Sequence, residues 1–183
     1  NGLVRFNPAD SKVLHLSEIL KDPLLKTHIG AMMIDASGVI WACSYEYDLL
    51  KIANKPKVLS NSLIKDSLKL SSANILSFTS DDKEDTWIGT STGLIRMNTT
   101  GIISDVPGLK KYPILKAGII SLCKVEDELF VGTRRGLFLY EISSDELTLP
   151  EPLKQIKPFR INSLIEDKNK NLWLGLDSGI DFI

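Results

Sequence analysis

Trp87-Ile88-Gly89-Thr90, followed at once by Ser91-Thr92 and then Gly93-Leu94-Ile95-Arg96-Met97, is the stretch that decides the fold, because the chain says it again. The first half returns as Trp41-Ala42-Cys43-Ser44, Phe130-Val131-Gly132-Thr133 and Trp173-Leu174-Gly175-Leu176. The aromatic anchors are therefore 46, 43 and 43 residues apart. The second half returns as Gly136-Leu137-Phe138-Leu139-Tyr140 and Gly179-Ile180-Asp181-Phe182, and the chain opens on it as Gly2-Leu3-Val4-Arg5-Phe6. One copy departs: Asp48-Leu49-Leu50-Lys51-Ile52 has Asp where the others have Gly, with one extra residue before it. A fixed period of this length signals a stacked or ring-like repeat architecture.

A third phrase precedes each anchor: Ile29-Gly30-Ala31-Met32, Ile75-Leu76-Ser77-Phe78, Ile119-Ile120-Ser121-Leu122 and Ile161-Asn162-Ser163-Leu164. Between phrase and anchor lies a polar, mostly acidic turn: Asp35 to Gly38, Asp81 to Asp85, Glu126 to Glu128, and Asp167 to Asn171. Each phrase reads as a short strand, rich in Ile, Leu, Val and aromatics and bounded by Asp, Asn, Gly and Ser. A Gly opening the third strand suits a hairpin that needs φ > 0. A weaker fourth strand is expected near Val13-His15, Val58-Ser60, Ile102-Ser104 and Leu147-Leu149. Four strands per period match one blade of a β-propeller. Helical spacing is hinted at only in Leu16 to Leu25 and Leu63 to Leu70, between blades, and these read as loops or short turns. The expected fold is all-β: a propeller fragment of about four blade repeats of four antiparallel strands.

The expected units are residues 1–27 (a partial blade), 28–73, 74–117, 118–159 and 160–183 (a partial blade). Three complete blades and two partial ones do not close into a tidy four-bladed ring. The chain begins Asn1-Gly2-Leu3, without an initiator Met, and stops inside an apolar run at Ile183. A fragment of a longer protein is expected, so the missing signal peptide says nothing of location. An isolated arc would expose strand edges and an apolar blade face, which invite self-association. Trp41, Trp87, Phe130 and Trp173 are expected to be inter-blade core. Each would bury roughly 150–250 Å², about 4–6 kcal/mol as an upper bound.

The whole chain, as four repeat periods, resembles the two-component regulator propeller repeat, whose pattern runs roughly I-x-S-L-x-E-D-x-x-G-x-L-W-I-G-T-x-x-G-L. Ile161 to Gly179 and Ile75 to Leu94 are the best copies. Phe130 for Trp and the Ala42 to Asp48 stretch depart from the pattern. The resemblance implies an extracytoplasmic (periplasmic) sensor region of a bacterial hybrid two-component histidine kinase, attached in full length to the inner membrane. It further implies seven blades, dimerisation and a response to carbohydrate breakdown products. Function does not follow from fold alone.

Composition excludes several classes. Of 183 residues 43% are hydrophobic and 25% charged, which is soluble and globular rather than disordered. A net charge of -1 with scattered Lys and Arg argues against nucleic-acid binding; Lys110-Lys111 and Arg134-Arg135 are the densest pairs. No apolar run is long enough to span a bilayer, so no membrane contact is expected of this segment. Cys43 and Cys123 sit at different repeat positions, and read as two small buried thiols rather than a bridge. His15 and His28 lie in no phrase beside a useful Ser or Cys, and the glycines recur with the repeat as turns rather than as a phosphate loop. Asp167-Lys168-Asn169-Lys170-Asn171 has the first spacings of a calcium loop, but Leu172 and Ser178 stand where Gly and Glu are needed. A carboxylate pair for glycoside cleavage is not selected by any spacing. No catalytic residue, metal or cofactor is expected; a propeller enzyme such as a polysaccharide lyase is the least favoured reading.

Function is expected where the copies disagree. The hairpin between second and third strands reads Tyr45-Glu46-Tyr47 in one repeat, and Ser91-Thr92, Arg134-Arg135 and Asp177-Ser178 in the others. Equivalent turns share one face of a propeller. Two tyrosines, the carboxylates of Glu46 and Asp177, and two guanidiniums would suit a sugar or an anionic oligosaccharide. Tyr112 and Arg160, in inter-blade loops, are weaker candidates. The alternatives are ordinary turn variation on a scaffold that binds protein, including a second copy of itself.

Overall fold

The computed structural model describes residues 3–15, 28–35, 38–44, 48–52, 57–59, 74–106, 109, 112–149 and 159–182. Among the described residues seventeen strands form five antiparallel sheets, each a meander in chain order. β1 (Val4–Asn7) and β2 (Lys12–His15) pair alone. The next sheet holds β3 (Ile29–Ile34), β4 (Ile40–Ser44), β5 (Asp48–Ile52) and β6 (Lys57–Leu59). Then come β7 (Ile75–Ser80), β8 (Thr86–Thr90), β9 (Leu94–Met97) and β10 (Ile103–Asp105). The fourth sheet holds β11 (Ile119–Val125), β12 (Glu128–Thr133), β13 (Gly136–Glu141) and β14 (Glu146–Thr148). The last has three strands, β15 (Ile161–Glu166), β16 (Leu172–Leu176) and β17 (Gly179–Phe182). These are blades of a partial propeller, with the two incomplete ones at the ends of the arc. The helix-like stretches Leu16 to Leu25 and Leu63 to Leu70 lie outside the described residues.

In the four sheets that hold a first strand, that strand carries the same irregularity. Register slips between Ile29 and Ala31, Ile75 and Ser77, Ile119 and Ser121, and Ile161 and Ser163. A bulge of this kind kinks the strand and re-aims the residue after it. That residue is the Ser of the third phrase. Ser77 Oγ donates to the Ile119 carbonyl at 3.1 Å, and Ser121 Oγ donates to the Ile161 carbonyl at 2.9 Å. Each bond joins the first strand of one blade to the first strand of the next, so first strands lie side by side along one rim. The Gly of the anchor phrase makes room: a Cβ on Gly89 or Gly132 would collide with the Ser77 or Ser121 hydroxyl and crowd Ile119 or Ile161.

The aberrant copy uses the same seam with its parts exchanged. Ala31 holds the Ser position and Cys43 the Gly position, and the two are cross-strand partners. Cys43 Sγ donates to the Ile75 carbonyl at 3.4 Å. The donor has moved to the opposite strand, and the opposing side chain has shrunk to match. What the sequence presents as a departure from the pattern is a compensated substitution.

Among the described residues four buried apolar clusters form, the first of them Leu3 against Ala42 and Ile52. Trp41 and Cys43 pack with Phe78, Ile88, Ile95 and Met97 of the next sheet. Trp87 and Leu94 pack with Ile119, Leu122, Val131 and Tyr140. Phe130 packs, half-buried, with Leu137, Ile161, Leu172 and Leu174. The anchors thus face the following blade, as expected for Trp41 (6% exposed) and Trp87 (1%). Trp173 differs, being 37% exposed. Its position points it past the last described sheet, together with Ile165 and Ile180, so its outer side is uncovered. At the other end Val4 and Phe6 are exposed for the mirror reason: their equivalents Ile95 and Met97 face the preceding blade.

Candidate functional site

Antiparallel order fixes which turns share an end of the arc. Second-to-third-strand hairpins and blade-to-blade connections lie at one end; first-to-second and third-to-fourth turns lie at the other. At the first end the hairpin backbone is held by the Thr that closes the anchor phrase. Buried Thr90 Oγ1 donates to the Gly93 carbonyl at 2.8 Å and accepts from Gly93 N at 3.0 Å and Thr92 N at 3.2 Å. Thr133 Oγ1, also buried, donates to the Gly136 carbonyl at 3.0 Å and accepts from Arg135 N at 3.0 Å. Gly93 and Gly136 take φ of +154° and +132°, a region that suits residues without Cβ. Two hairpins are therefore built alike, while the side chains at their tips differ.

The structure places Arg134 and Arg135 exposed at the tip of the β12–β13 hairpin. Asp177 is exposed at the β16–β17 tip, where Oδ1 accepts from Asn162 Nδ2 at 2.8 Å. These three share one end of the arc. Tyr45, Glu46 and Tyr47 lie outside the described residues. Arg160 is exposed just before β15.

The same end holds a feature that sequence reasoning missed. The connection from β10 to β11 folds back through a 3₁₀ turn, Pro113–Ala117, closed at Gly118 with φ +90°. Between this turn and the Thr90–Gly93 hairpin lies an open cleft of about 120 Å³. Its floor is aliphatic, made by Leu94, Val106, Leu109 and Leu115, all buried. Thr92, Asp105, Tyr112 and Lys116 line it with polar groups. Tyr112, a weaker candidate from sequence, is half-buried against the core beside it. The signal that could have marked the cleft is the Pro113–Gly118 spacing in the connection, a short turn too apolar to lie free of the sheet.

The opposite end accounts for the acidic turns. Trp41 Nε1 donates to Asp35 Oδ2 at 2.8 Å, Trp87 Nε1 to Asp81 Oδ2 at 3.0 Å, and Trp173 Nε1 to Asp167 Oδ2 at 2.8 Å. The other oxygen of each Asp caps its own turn, accepting from Val39 N, from Lys83 N and Asp85 N, and from Asn169 N and Asn171 N. Hydrogen bonds from the Asn171 side chain and the Trp173 indole hold Asp167 down at about 2. Both its oxygens are committed to the turn, so the calcium-like spacing there is explained by the hairpin. Where Phe130 replaces Trp, the position six residues earlier is Lys124 instead of Asp, and Lys124 Nζ reaches Asp82 of the neighbouring blade at 3.1 Å. Arg96 lies over the Trp87 ring at 5.1 Å and pairs with Asp85, while Tyr140 meets the same indole edge-on at 5.5 Å.

Both cysteines are free, and burial pushes each thiol above its ordinary value. Burial, then the bond its hydroxyl donates to Asp145, also raises Tyr140. Among the described residues no helix is long and apolar enough to cross a membrane.

No protein-family model and no curated relative matches the chain. Solved structures share its fold. Over 100% of its length it superposes, with TM-score 0.73 and 21% identity, on the extracellular domain assigned to the hybrid two component system BT4673 from B. thetaiotaomicron, covering 24% of that chain. The extracellular domain assigned to BT3049 from the same organism gives TM-score 0.72 and 18% identity, again over 100% of this chain and 24% of that one. YCF48 from Cyanidioschyzon merolae gives TM-score 0.61 at 11% identity, over 84% of this chain and 49% of that one. The chain thus spans about a quarter of the length of the two bacterial structures.

Proposed function

We propose that this chain is a ligand-sensing, non-catalytic part of an extracytoplasmic sensor domain in a two-component signalling protein, and that its ligand is a carbohydrate. The observation that carries the reading is the pair of hairpins at β8–β9 and β12–β13. Buried Thr90 and Thr133 hold them alike, yet their tips read Ser91-Thr92 and Arg134-Arg135. A scaffold that repeats the backbone of its hairpins and varies their tips is suited to recognition. Likeness, over the whole length of this chain, to about a quarter of two extracellular domains of hybrid two component systems supports the signalling half. Binding at the hairpin end would shift blade or dimer geometry, and a membrane span would pass that shift to a histidine kinase.

Calorimetric titration against oligosaccharide pools tests this. Heat that disappears in Tyr45→Ala, Tyr47→Ala and Arg135→Ala variants supports it, and unchanged binding removes the hairpin face. Turnover of the pools by the unmodified chain would replace the sensor with an enzyme such as a lyase. A second reading is an interaction scaffold whose propeller face binds another protein or a second copy of the chain. Sedimentation that shifts with concentration, without any carbohydrate heat, would favour it.

A further inference from the structure

We propose that Lys124 determines which sheet can lie beneath the β11–β14 sheet, by requiring a carboxylate on the turn of the sheet before it. The proposal concerns how blades recognise one another and does not depend on what the hairpin tips bind. Lys124 is the fifth residue after Ile119, the Ile that opens β11; Ser80 and Glu166 hold that place after Ile75 and Ile161. Side chains alternate along a strand, so Lys124 shares a face with Leu122, which packs with Trp87 of the preceding sheet.

The Lys124 side chain is 9% exposed, yet it ends in an ammonium. Its Nζ lies 3.1 Å from Asp82 Oδ2 on the β7–β8 turn, and the Asp82 side chain is 88% exposed. The two halves of the pair are therefore unequal. A buried cation that loses its counter-charge is costly, whereas a carboxylate facing water is not. Capping of the turn falls to Asp81, whose Oδ1 accepts from Lys83 N and Asp85 N, so Asp82 is not needed to shape it.

Asp82 is the seventh residue after Ile75. In sequence the same place reads Ala36 after Ile29 and Lys168 after Ile161, and neither answers an ammonium; Ala36 lies outside the described residues. The place is acidic once more, at Glu126 on the β11–β12 turn, and the sheet that follows presents Glu166. Two carboxylates would meet there, but Lys170 Nζ lies 3.0 Å from Glu166 Oε1. Its bond to Glu166, then the charges of Glu166 and Glu126, hold the Lys170 proton above its ordinary value. Both seams thus close this edge with opposite charges, drawn from different residues. On β7 the place is taken by neutral Ser80. Sheets with nearly the same phrases could pack out of order or onto a second copy. A buried ammonium that only an acidic turn satisfies selects against such partners.

Urea unfolding of the intact chain, followed by circular dichroism, tests this with the residues that the other turns carry. Asp82→Ala should lower the midpoint by about 0.5 M or more, and Asp82→Lys further. Lys124→Met, which keeps the apolar stem, should lower it less than Asp82→Ala or raise it. In the Lys124→Met background both Asp82 changes should have little effect, which keeps the test open if Asp82→Lys alone does not fold. Glu84→Gln, exposed on the same turn, should leave the midpoint where it is. Losses on changing Asp82 that are equal with and without Lys124 overturn the proposal. So does a midpoint that Asp82→Ala does not move, or a loss that Glu84→Gln reproduces.

Discussion

Replacing Cys43 by Gly should destabilise the chain, and adding Ala31→Ser should restore most of the loss. The single change removes a buried thiol that donates to the Ile75 carbonyl. A weak hydrogen bond of this kind contributes about 0.5–1 kcal/mol. A glycine within a strand costs about 0.5–1 kcal/mol relative to alanine. The void left by the side chain, on the order of 40 Å³, adds about 1 kcal/mol at about 24 cal/mol per Å³. Together these give about 2–3 kcal/mol for Cys43→Gly. Ala31→Ser alone should also destabilise, by about 1–3 kcal/mol from overpacking. At the equivalent sites a Cβ opposite the serine would collide with its hydroxyl, and Cys43 has a Cβ. In the double variant the new hydroxyl should lie over Gly and donate to the Ile75 carbonyl, as Ser77 does to Ile119. Urea denaturation followed by circular dichroism measures all four corners of the cycle. The expected coupling is favourable and at least about 2 kcal/mol, where independent sites would add within about 0.5 kcal/mol. Additive losses would refute the exchange of donor and space between the two strands.

Other outcomes follow from the turns and thiols. Asp167 is held at about 2, below the roughly 3.9 of an unfolded carboxylate, so the unfolded chain binds more protons between these values. Its contribution to stability is therefore complete above about pH 4 and lost as pH falls toward 2. Acid titration of the unfolding midpoint should show this slope, and Asp167→Asn should flatten it. Cys43 is 1% exposed and both thiols are raised by burial, so a thiol-disulfide reagent at pH 7 should modify the folded chain slowly and the urea-unfolded chain at once. Rapid labelling of Cys43 under native conditions would contradict the packing of the first seam.

Several elements were legible because their cause is local. A hairpin needs its Gly at a positive φ, so Gly93 and Gly136 mark the second turn wherever they recur. Even the weak fourth strands, near Val13, Val58, Ile103 and Leu147, fall where the period puts them. The indole–carboxylate staples were also within reach, since Asp35, Asp81 and Asp167 each stand six residues before a Trp and Lys124 stands six before a Phe. Hydrophobic periodicity does not mark them, because a pairing between side chains leaves no trace in it. The candidate cleft was less legible, because its walls come from a hairpin and a connection some twenty residues apart.

The repeat phrase thus determined by itself what one blade is: its strands, its hairpins and the role of its glycines, all set by backbone geometry within about forty residues. Only the tertiary structure decided how blades meet. Ser77 finds the carbonyl of Ile119, and Cys43 that of Ile75, across gaps of 42 and 32 residues. It also decided that Trp87 is sealed edge-on by Tyr140 of the next sheet. Burial of an anchor depends on whether a blade lies beyond it, and no residue within its own blade carries that information.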